Sequence, residues 1–222
     1  AIIALKNDSS VYGSGDFTGT SCLLYPYFLP TNIASSPTQI GSLTSWRDVY
    51  ASCSYGVSYA LQTNGSLWAW GHVNSAGIGS SNSGSGYIHS PVQVGTGTRW
   101  SNIAVFGHGT GATTLATQTD GTLWGWGYNN DGQIGDGTTS AKYSPVQVGS
   151  LTDWSKVASG SGHSMAIKVD GTLWVWGAST TGQLGDGTLV AKSSPIQLGT
   201  ATDWYTVSAG LSHSMAIKNL GH

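Results

Sequence analysis

The chain repeats itself in register from end to end, and this periodicity constrains the fold more than any other feature. Tryptophans open similar segments at positions 46, 100, 154 and 204, so the steps are 54, 54 and 50 residues. A second marker recurs in the same register as NGSLWAWG, DGTLWGWG and DGTLWVWG, with a degenerate copy, DSSVYGSG, near the start. A third recurs as SPTQIGSLTSW, SPVQVGTGTRW, SPVQVGSLTDW and SPIQLGTATDW. Such periods are typical of architectures in which each unit packs on its neighbours.

Each unit has the pattern of four short antiparallel strands, which is clearest between residues 154 and 203. We predict the first two strands over Trp154–Ser159 and His163–Lys168. The dipeptide that follows, Asp170-Gly171, is a strong hairpin-turn signal, and a third strand is predicted over 172–177. The fourth is predicted over 195–198, where a proline at the start of the strand suits an edge position.

The third strand is apolar on both faces. Leu173 and Val175 point to one side of the sheet, and Trp174 and Trp176 to the other. A half-exposed sheet would be apolar on one face only, so this sheet is expected to lie between two others. The pattern therefore predicts an all-β protein: a β-propeller of about four four-stranded antiparallel blades.

The repeats predict one domain over 1–222, with units at about 1–45, 46–99, 100–153 and 154–203 and a partial unit at 204–222. Recurrence at the same strand position in each unit favours a structural role for the tryptophans over a stacking platform for a ligand. We expect them to form the repeat core between blades: Trp46, Trp68, Trp70, Trp100, Trp124, Trp126, Trp154, Trp174, Trp176 and Trp204.

Composition agrees with an all-β chain and excludes two classes of partner. Charged residues are 8 % of the chain, against about 25 % in an ordinary domain. The formal net charge is −2 and no basic run exists, which argues against nucleic acid binding. No apolar stretch is long enough for membrane insertion. Cys22 and Cys53 show no metal or redox spacing, and we expect two small buried hydrophobes rather than a disulfide.

These segments resemble the repeats named after the regulator of chromosome condensation, the RCC1-like repeats. Residues 163–187, HSMAIKVDGTLWVWGASTTGQLGDG, and residues 119–137 match the family pattern closely. Residues 63–79 keep NGSLWAWG but lack the glutamine-containing loop, and the opening unit replaces both tryptophans. The family fold is a seven-bladed propeller, so about four units imply an arc or part of such a ring. The alternative is a small closed propeller with one terminal strand displaced.

The histidines do not indicate catalysis. His163 and His213 share one repeat position, which is Ala1, Val57 and Thr113 in the other units. A catalytic or metal-binding histidine is not expected to recur in successive blades, so we expect a structural histidine bonded to the backbone in the turn.

The aspartates fall in turns. Asp120, Asp170, Asp136 and Asp186 lie in Asp-Gly or Gly-Asp-Gly sequences, where the carboxylate can bond turn amides. A calcium site at 129–137 would use Asn129, Asp131 and Asp136, but the EF-hand spacing and its glutamate are missing. No nucleophile elbow or phosphate-binding loop is present. We predict no enzyme, no cofactor and no metal site.

The opening unit carries an enlarged apolar loop. From the glycine that ends the third strand to the Ser-Pro proline, the spacing is 22 residues there and 20, 18 and 18 in later units. The added segment, 22–30, reads CLLYPYFLP. It either caps an exposed edge or forms a partner-binding surface with Tyr25, Tyr27 and Phe28 as anchors.

The function expected is a non-catalytic protein-interaction or structural module that binds a protein partner or self-assembles. The alternatives are a guanine nucleotide exchange factor for a small GTPase, which the family resemblance raises, and a carbohydrate-active or carbohydrate-binding propeller. Low charge, the absence of glutamate and Ser/Thr/Gly-rich repeats resemble bacterial and phage repeat arrays. That resemblance favours an extracellular or virion location, such as a virion appendage or a surface or secreted protein, over a cytoplasmic one.

Overall fold

The computed structural model describes residues 2–16, 33–52, 56–72, 78–79, 87–108 and 111–219, and these residues form five antiparallel sheets. Blade 1 contains β1 (Ile2–Leu5), β2 (Val11–Asp16) and β3 (Ile33–Gln39), and blade 2 contains β4 (Trp46–Ala51), β5 (Val57–Gln62), β6 (Leu67–His72) and β7 (Tyr87–Gln93). Blade 3 contains β8 (Trp100–His108), β9 (Gly111–Gln118), β10 (Leu123–Gly127) and β11 (Lys142–Gln147). Blade 4 contains β12 (Trp154–Ser159), β13 (His163–Lys168), β14 (Leu173–Gly177) and β15 (Lys192–Gln197), and blade 5 contains β16 (Trp204–Ala209) and β17 (Ser214–Lys218).

Each complete blade is a meander in which consecutive strands pair, as the repeat pattern predicts. The first strands of blades 2 to 5 line one common cleft, so they are the inner strands of the propeller. The fourth strands are the outer edges of their sheets. Across the part of the chain that the structure describes, no helix has the length and hydropathy to span a membrane.

The strand bounds in blade 4 confirm the sequence interpretation for the first two strands and correct it for the other two. β14 begins at Leu173 rather than at Thr172, and β15 begins at Lys192 rather than at Pro195. The register explains the second difference, because Val175 pairs with Ile196 whereas Gly177 pairs with Lys192. An outer-strand bulge therefore takes up the Ser-Pro dipeptide, and the proline lies inside the edge strand where it has no ladder bond to lose.

The apolar core lies between the blades. One cluster joins Leu115, Leu123, Ile134 and Val148 of blade 3 to Trp154, Ala166 and Trp176 of blade 4. Equivalent clusters join blade 1 to blade 2, blade 2 to blade 3 and blade 4 to blade 5. The double-sided burial predicted from the third strand is present, since Leu173, Val175 and Trp176 are almost completely buried and point to both faces. A blade therefore has no separate core of its own.

The two ends of the described structure lie in different sheets. β1 pairs with β2, and β17 pairs with β16. Met215 and Ile217 on β17 are each 60 % exposed, whereas their counterparts Met165 and Ile167 in blade 4 are 2 % and 3 % exposed because blade 5 covers them. The described blades thus form part of a propeller, as the repeat count predicts.

The turn between the second and third strands is organised by one aspartate, which confirms the predicted role of the Asp-Gly residues. Asp170 Oδ1 accepts hydrogen bonds from the amide of Thr172 at 3.0 Å and from its hydroxyl at 2.7 Å. The Thr172 hydroxyl in turn accepts from Trp174 Nε1 at 2.9 Å. Asp120, Thr122 and Trp124 repeat this arrangement in blade 3. The aspartate therefore holds both the turn and one indole.

Gly171 in this turn also lies against the connection that leads from blade 4 to blade 5. It has φ +78°, and a Cβ added there would lie 2.1 Å from the carbonyl oxygen of Thr202. Two independent constraints therefore require glycine at this position: the left-handed backbone and the close backbone approach.

We expect Gly171→Ala to lower the free energy of unfolding by about 3 kcal/mol or more, because strain in the left-handed region adds to a clash with the main chain. Gly187→Ala is the matched control. Gly187 has φ +77°, with no atom within 4 Å of the added Cβ. The control should cost only about 1 kcal/mol. Urea unfolding followed by tryptophan fluorescence measures both, and equal costs would contradict the close-approach argument.

Candidate functional site at the contacts between blades

The residues proposed as partner anchors lie outside the described part of the chain. Tyr25, Tyr27 and Phe28 belong to the 17–32 segment, and the two cysteines also fall outside the described residues. Their role stays a prediction. The other candidate residues lie on the inner strands and between the blades, where the repeat places them.

The inner strands are joined by polar side chains that the repeat pattern does not reveal. Each such side chain donates to a main-chain carbonyl on the next inner strand: Arg47 Nη2 to Ser101 at 2.9 Å, Asn102 Nδ2 to Ser155 at 3.0 Å, and Lys156 Nζ to Tyr205. The donor is arginine, asparagine or lysine, so the repeat units share no residue type that would reveal these bonds in the sequence. These bonds fix one blade relative to the next at the inner edge of the arc.

The common cleft beyond these bonds has walls of small and apolar residues. It has a volume of about 280 Å³, and its lining includes Tyr50, Val105, Val157 and Val207. Burial raises the pKa of Tyr50 to about 12, with a smaller contribution from the Asp48 carboxylate. The Tyr50 phenol therefore stays protonated at neutral pH. The residues described in this lining include no carboxylate, histidine or cysteine, and polar atoms contribute more of the exposed lining than apolar atoms do.

A second set of hydrogen bonds attaches blades 4 and 5 to the loop of the blade before them. In blade 4, Ser164 Oγ and Trp176 Nε1 both donate to the carbonyl of Gln133 in blade 3, at 2.7 and 2.8 Å. In blade 5, Ser214 Oγ donates to the equivalent carbonyl of Gln183 at 2.6 Å. One loop carbonyl in each of blades 3 and 4 is thus a fixed acceptor for the next blade, whereas the equivalent donors of blade 3, Thr114 Oγ1 and Trp126 Nε1, bond the Tyr59 hydroxyl of blade 2.

His163 also takes part in the hydrogen bonds between blades. This corrects the expectation that its ring would bond the backbone of its own turn. Its Nε2 lies 2.9 Å from Ser214 Oγ across the contact between blades 4 and 5. Because the serine proton is directed to Gln183, Ser214 Oγ accepts from a protonated Nε2. His163 is fully buried, and its Nδ1 has no partner among the described residues. The bonding therefore suits a neutral imidazole. The equivalent His213 is exposed.

Burial lowers the pKa of His163 below its ordinary value of 6.5, and the smaller effect of a backbone bond at His213 opposes this shift. The unfolded state therefore takes up a proton at a higher pH than the folded state does. The buried neutral imidazole of His163 therefore costs the folded state nothing above pH 6.5. Below pH 6.5 the free energy of unfolding decreases with falling pH, until the pH reaches the lowered pKa of the folded state.

The loop at 129–137, which the sequence disfavours as a calcium site, is closed by its own hydrogen bonds. Asn129 is fully buried, its Oδ1 accepts from the amide of Ile134 at 2.9 Å, and its Nδ2 donates to carbonyls of the same loop. Asp136 accepts from Thr138 and forms an ion pair with Lys142 Nζ at 3.0 Å. Burial raises the pKa of Asp136, but the bonds from Thr138 and Lys142 outweigh it, so the net pKa is lowered. Within the described ranges no three acidic, histidine or cysteine residues form a metal-binding group.

We expect His163→Thr, which introduces the residue that blade 3 has at this position, to reduce the loss of thermal stability between pH 7.5 and pH 5.5. The slope of the melting temperature against pH is the measurement, since the substitution also changes packing and hence the absolute value. His213→Thr is the comparison variant, and its slope should change less than that of His163→Thr, because His213 is exposed and His163 is buried. An unchanged slope in His163→Thr would show that the buried imidazole does not cause the acid sensitivity.

Comparison with known proteins agrees with this architecture. Residues 120–167 and 170–217 each match the family model described as the regulator of chromosome condensation (RCC1) repeat, and a second model of that repeat matches 154–183. The human E3 ubiquitin-protein ligase HERC2 is 32 % identical over 132 residues, which are 59 % of this chain and 3 % of that protein. The Arabidopsis thaliana RCC1 domain-containing mitochondrial protein RUG3 is 30 % identical over 135 residues, which are 60 % of this chain and 29 % of that protein. The chain therefore spans a small part of these relatives.

Solved structures share the fold at lower identity. Human WBSCR16 has a TM-score of 0.76 and 22 % identity, covering 97 % of this chain and 55 % of that one. Yeast RCC1 (Prp20), solved bound to Kap60, has a TM-score of 0.80 and 19 % identity, covering 98 % of this chain and 52 % of that one. Together with the interblade geometry, these likenesses show that the chain has the fold of an RCC1-like repeat β-propeller, with RCC1 repeats matched over residues 120–167 and 170–217.

Proposed function

We propose that this chain is a non-catalytic scaffold that binds a protein partner through loops at the blade edges. The observation that carries the proposal is a difference between two equivalent loops. In blade 4 the loop exposes Leu189 and Val190, at 68 % and 61 % exposure. Thr139 and Ser140 occupy the same positions in blade 3. Exposed apolar side chains that replace polar ones on the same frame are typical of a contact surface.

The hydrogen bonds and ion pair that support these residues are the same in both loops. Asp186 accepts from the amide of Thr188 at 2.9 Å and pairs with Lys192, as Asp136 does with Thr138 and Lys142. Thr139 and Ser140 remain exposed although blade 4 follows them. Blade 5, which packs on blade 4, contains only its first two strands among the described residues. By analogy with blade 3, outer strands added to blade 5 would leave Leu189 and Val190 exposed as well, so the fold does not explain their apolar character.

Two observations on the neighbours support a protein as the ligand. Yeast RCC1 (Prp20) was solved bound to Kap60, and a further structure of the yeast protein is described together with its binding to Gsp1p and histones. Those contacts belong to those proteins, and the partner proposed here is defined only as a protein with a complementary apolar site. The low charge and Ser/Thr/Gly-rich repeats support our proposal of an extracellular or virion location.

We expect the double substitution Leu189→Ser, Val190→Ser to weaken partner binding about tenfold or more, because truncating apolar anchors costs on the order of 1–2 kcal/mol. The partner is first captured with the wild-type chain from its source and identified by mass spectrometry, and the affinity of the purified pair is then measured by calorimetry. Thr139→Ala, Ser140→Ala is the matched control at the equivalent loop of blade 3. The thermal stability of both variants should stay near that of the wild type.

Equal affinity of the two variants would reject the Leu189–Val190 surface. If the partner is a second copy of the chain, light scattering should show that the oligomer dissociates in the Leu189→Ser, Val190→Ser variant. Accelerated nucleotide release from a small GTPase on addition of the wild-type chain would instead assign an exchange activity.

A further inference from the structure

The second strand of blade 5 has an open edge at the place where the other blades continue into a third strand. In blade 4 the corresponding strand, β13, pairs with β14, so that Ser164 lies opposite Trp176 and Ala166 lies opposite Trp174. β17 pairs with β16 on one side, and no described residue pairs with its other side. A strand edge with unpaired amides and carbonyls is a template for pairing with a further strand.

A groove lies beside this open edge, between blades 4 and 5. Its volume is about 290 Å³. Leu184, Leu198 and Trp204 contribute apolar walls, and Gln183 and Ser214 contribute polar groups. The groove therefore joins an apolar space to the unpaired main chain of β17.

The repeat shows which side chain fills this space in a complete blade. In blade 4 the indole of Trp176 packs on the loop of blade 3, where a Cβ added to Gly135 would lie 2.6 Å from the indole Nε1. In blade 3 the indole of Trp126 packs on Gly79 in the same way, and the corresponding distance is 2.8 Å. The second tryptophan of the third strand is thus the side chain that lies against this loop glycine.

Gly185 is the equivalent glycine in the loop of blade 4, and the space beside it is open. Leu198 Cδ2, at 3.7 Å, is the nearest described atom to a Cβ added there. A third-strand indole would occupy the position that Trp176 takes against Gly135. No described residue supplies that indole.

A hydrogen-bond acceptor for the indole is also present. The Gln133 carbonyl accepts from both Ser164 Oγ and Trp176 Nε1. Among the described residues, the equivalent carbonyl of Gln183 accepts from Ser214 Oγ alone. A carbonyl oxygen has two lone pairs, so the Gln183 carbonyl retains a position for a second donor.

The packing of the first-strand tryptophan indicates a second aromatic side chain on the missing strand. Trp154 is 4 % exposed because it packs edge-to-face on Trp174 and Trp176 of its own blade. Trp204, at the same position in blade 5, is only partly buried. A strand with two tryptophans two positions apart would cover Trp204 as β14 covers Trp154.

We propose that β17 and the groove between blades 4 and 5 form a strand-addition site for an extended, tryptophan-bearing segment of a partner protein. The segment pairs antiparallel with β17 and places its tryptophans opposite Ser214 and Ala216. The indole opposite Ser214 packs on Gly185 and donates to the Gln183 carbonyl. Main-chain pairing provides affinity in this mode of recognition, and the side-chain pocket provides specificity.

This site goes beyond the proposed contact surface at Leu189 and Val190, because neither residue lines the groove. The Leu189→Ser, Val190→Ser variant should therefore bind the strand with wild-type affinity. The two sites are tested separately, and failure of one leaves the other in place.

The probe is a peptide with the sequence of residues 170–177, DGTLWVWG, with two lysines and a fluorescein label at its N-terminus. Fluorescence anisotropy on addition of the 222-residue chain should show saturable binding, with a dissociation constant on the order of 10 μM. In the ¹⁵N-labelled chain, the amide resonances of β17 should shift on addition of the peptide. A peptide with alanine in place of the second tryptophan should bind at least tenfold more weakly.

Gly185→Asn tests the pocket from the side of the protein. Gly185 has φ +70°, a conformation that asparagine tolerates, and the added Cβ fits the open groove. The same Cβ would clash with a bound indole, so the peptide should bind at least tenfold more weakly. Gly187→Asn is the matched control, because Gly187 has φ +77° and no atom within 4 Å of an added Cβ. It should bind the peptide like the wild type, and urea unfolding checks that both variants are folded.

Equal affinity of the Gly185→Asn and Gly187→Asn variants for the peptide would overturn the proposal. Equal binding of the tryptophan and alanine peptides would also overturn it, as would the absence of saturable binding or shifts that leave β17 unaffected. If light scattering shows an oligomer of the wild-type chain that the peptide dissociates, the groove belongs to a second copy, and the assignment to a partner protein is wrong.

Discussion

The contact between one blade and the next is the interaction on which the whole structure depends. Each third strand buries apolar side chains on both faces, so a single blade cannot shield its own hydrophobic surface. The burial that stabilises the fold therefore comes from stacking, as in other repeat proteins. Tyr59 of blade 2 and Trp126 of blade 3 show this contact, with ring centroids 6.0 Å apart in edge-to-face orientation. Within a blade, Trp154 packs edge-to-face on Trp174 and Trp176, and Trp100 packs in the same way on Trp124 and Trp126.

Directional bonds then set the angle at which the blades stack. Apolar packing tolerates sliding, whereas a hydrogen bond to a fixed carbonyl does not. The Gln133 carbonyl receives Ser164 and Trp176 on one side of the stack, and the inner-strand bond from Asn102 to Ser155 acts on the other. Two separated attachments of this kind define a rotation between neighbouring sheets, and repeating that rotation produces the arc.

This division of roles leaves the surface free to differ between units. The aspartate turns and the first-strand and third-strand tryptophans are reused from blade to blade, because every contact needs the same packing. Leu189 and Val190 replace two polar residues without altering the bonds of Asp186 below them. Specificity on such a scaffold therefore arises where the fold imposes no requirement, and the proposed loop surface is a position of this kind.

The repeat in the amino-acid sequence was enough to predict the all-β class, the strand order within a blade, the turn chemistry of Asp170 and the double-sided burial of β14. These properties follow from local periodicity and from the short-range geometry of an Asp-Gly turn, which any unit displays by itself. The predicted start of β15 was wrong by three residues, because the bulge depends on the register with β14. The residue sequence of one strand does not encode that register. The predicted hydrogen-bond partner of His163 was wrong for a similar reason. Ser214 is 51 positions away in sequence and becomes a neighbour only when blade 5 packs on blade 4. The sequence alone thus determined what each blade is, and the tertiary structure decided which polar groups of neighbouring blades meet, because those contacts exist only after the sheets have packed.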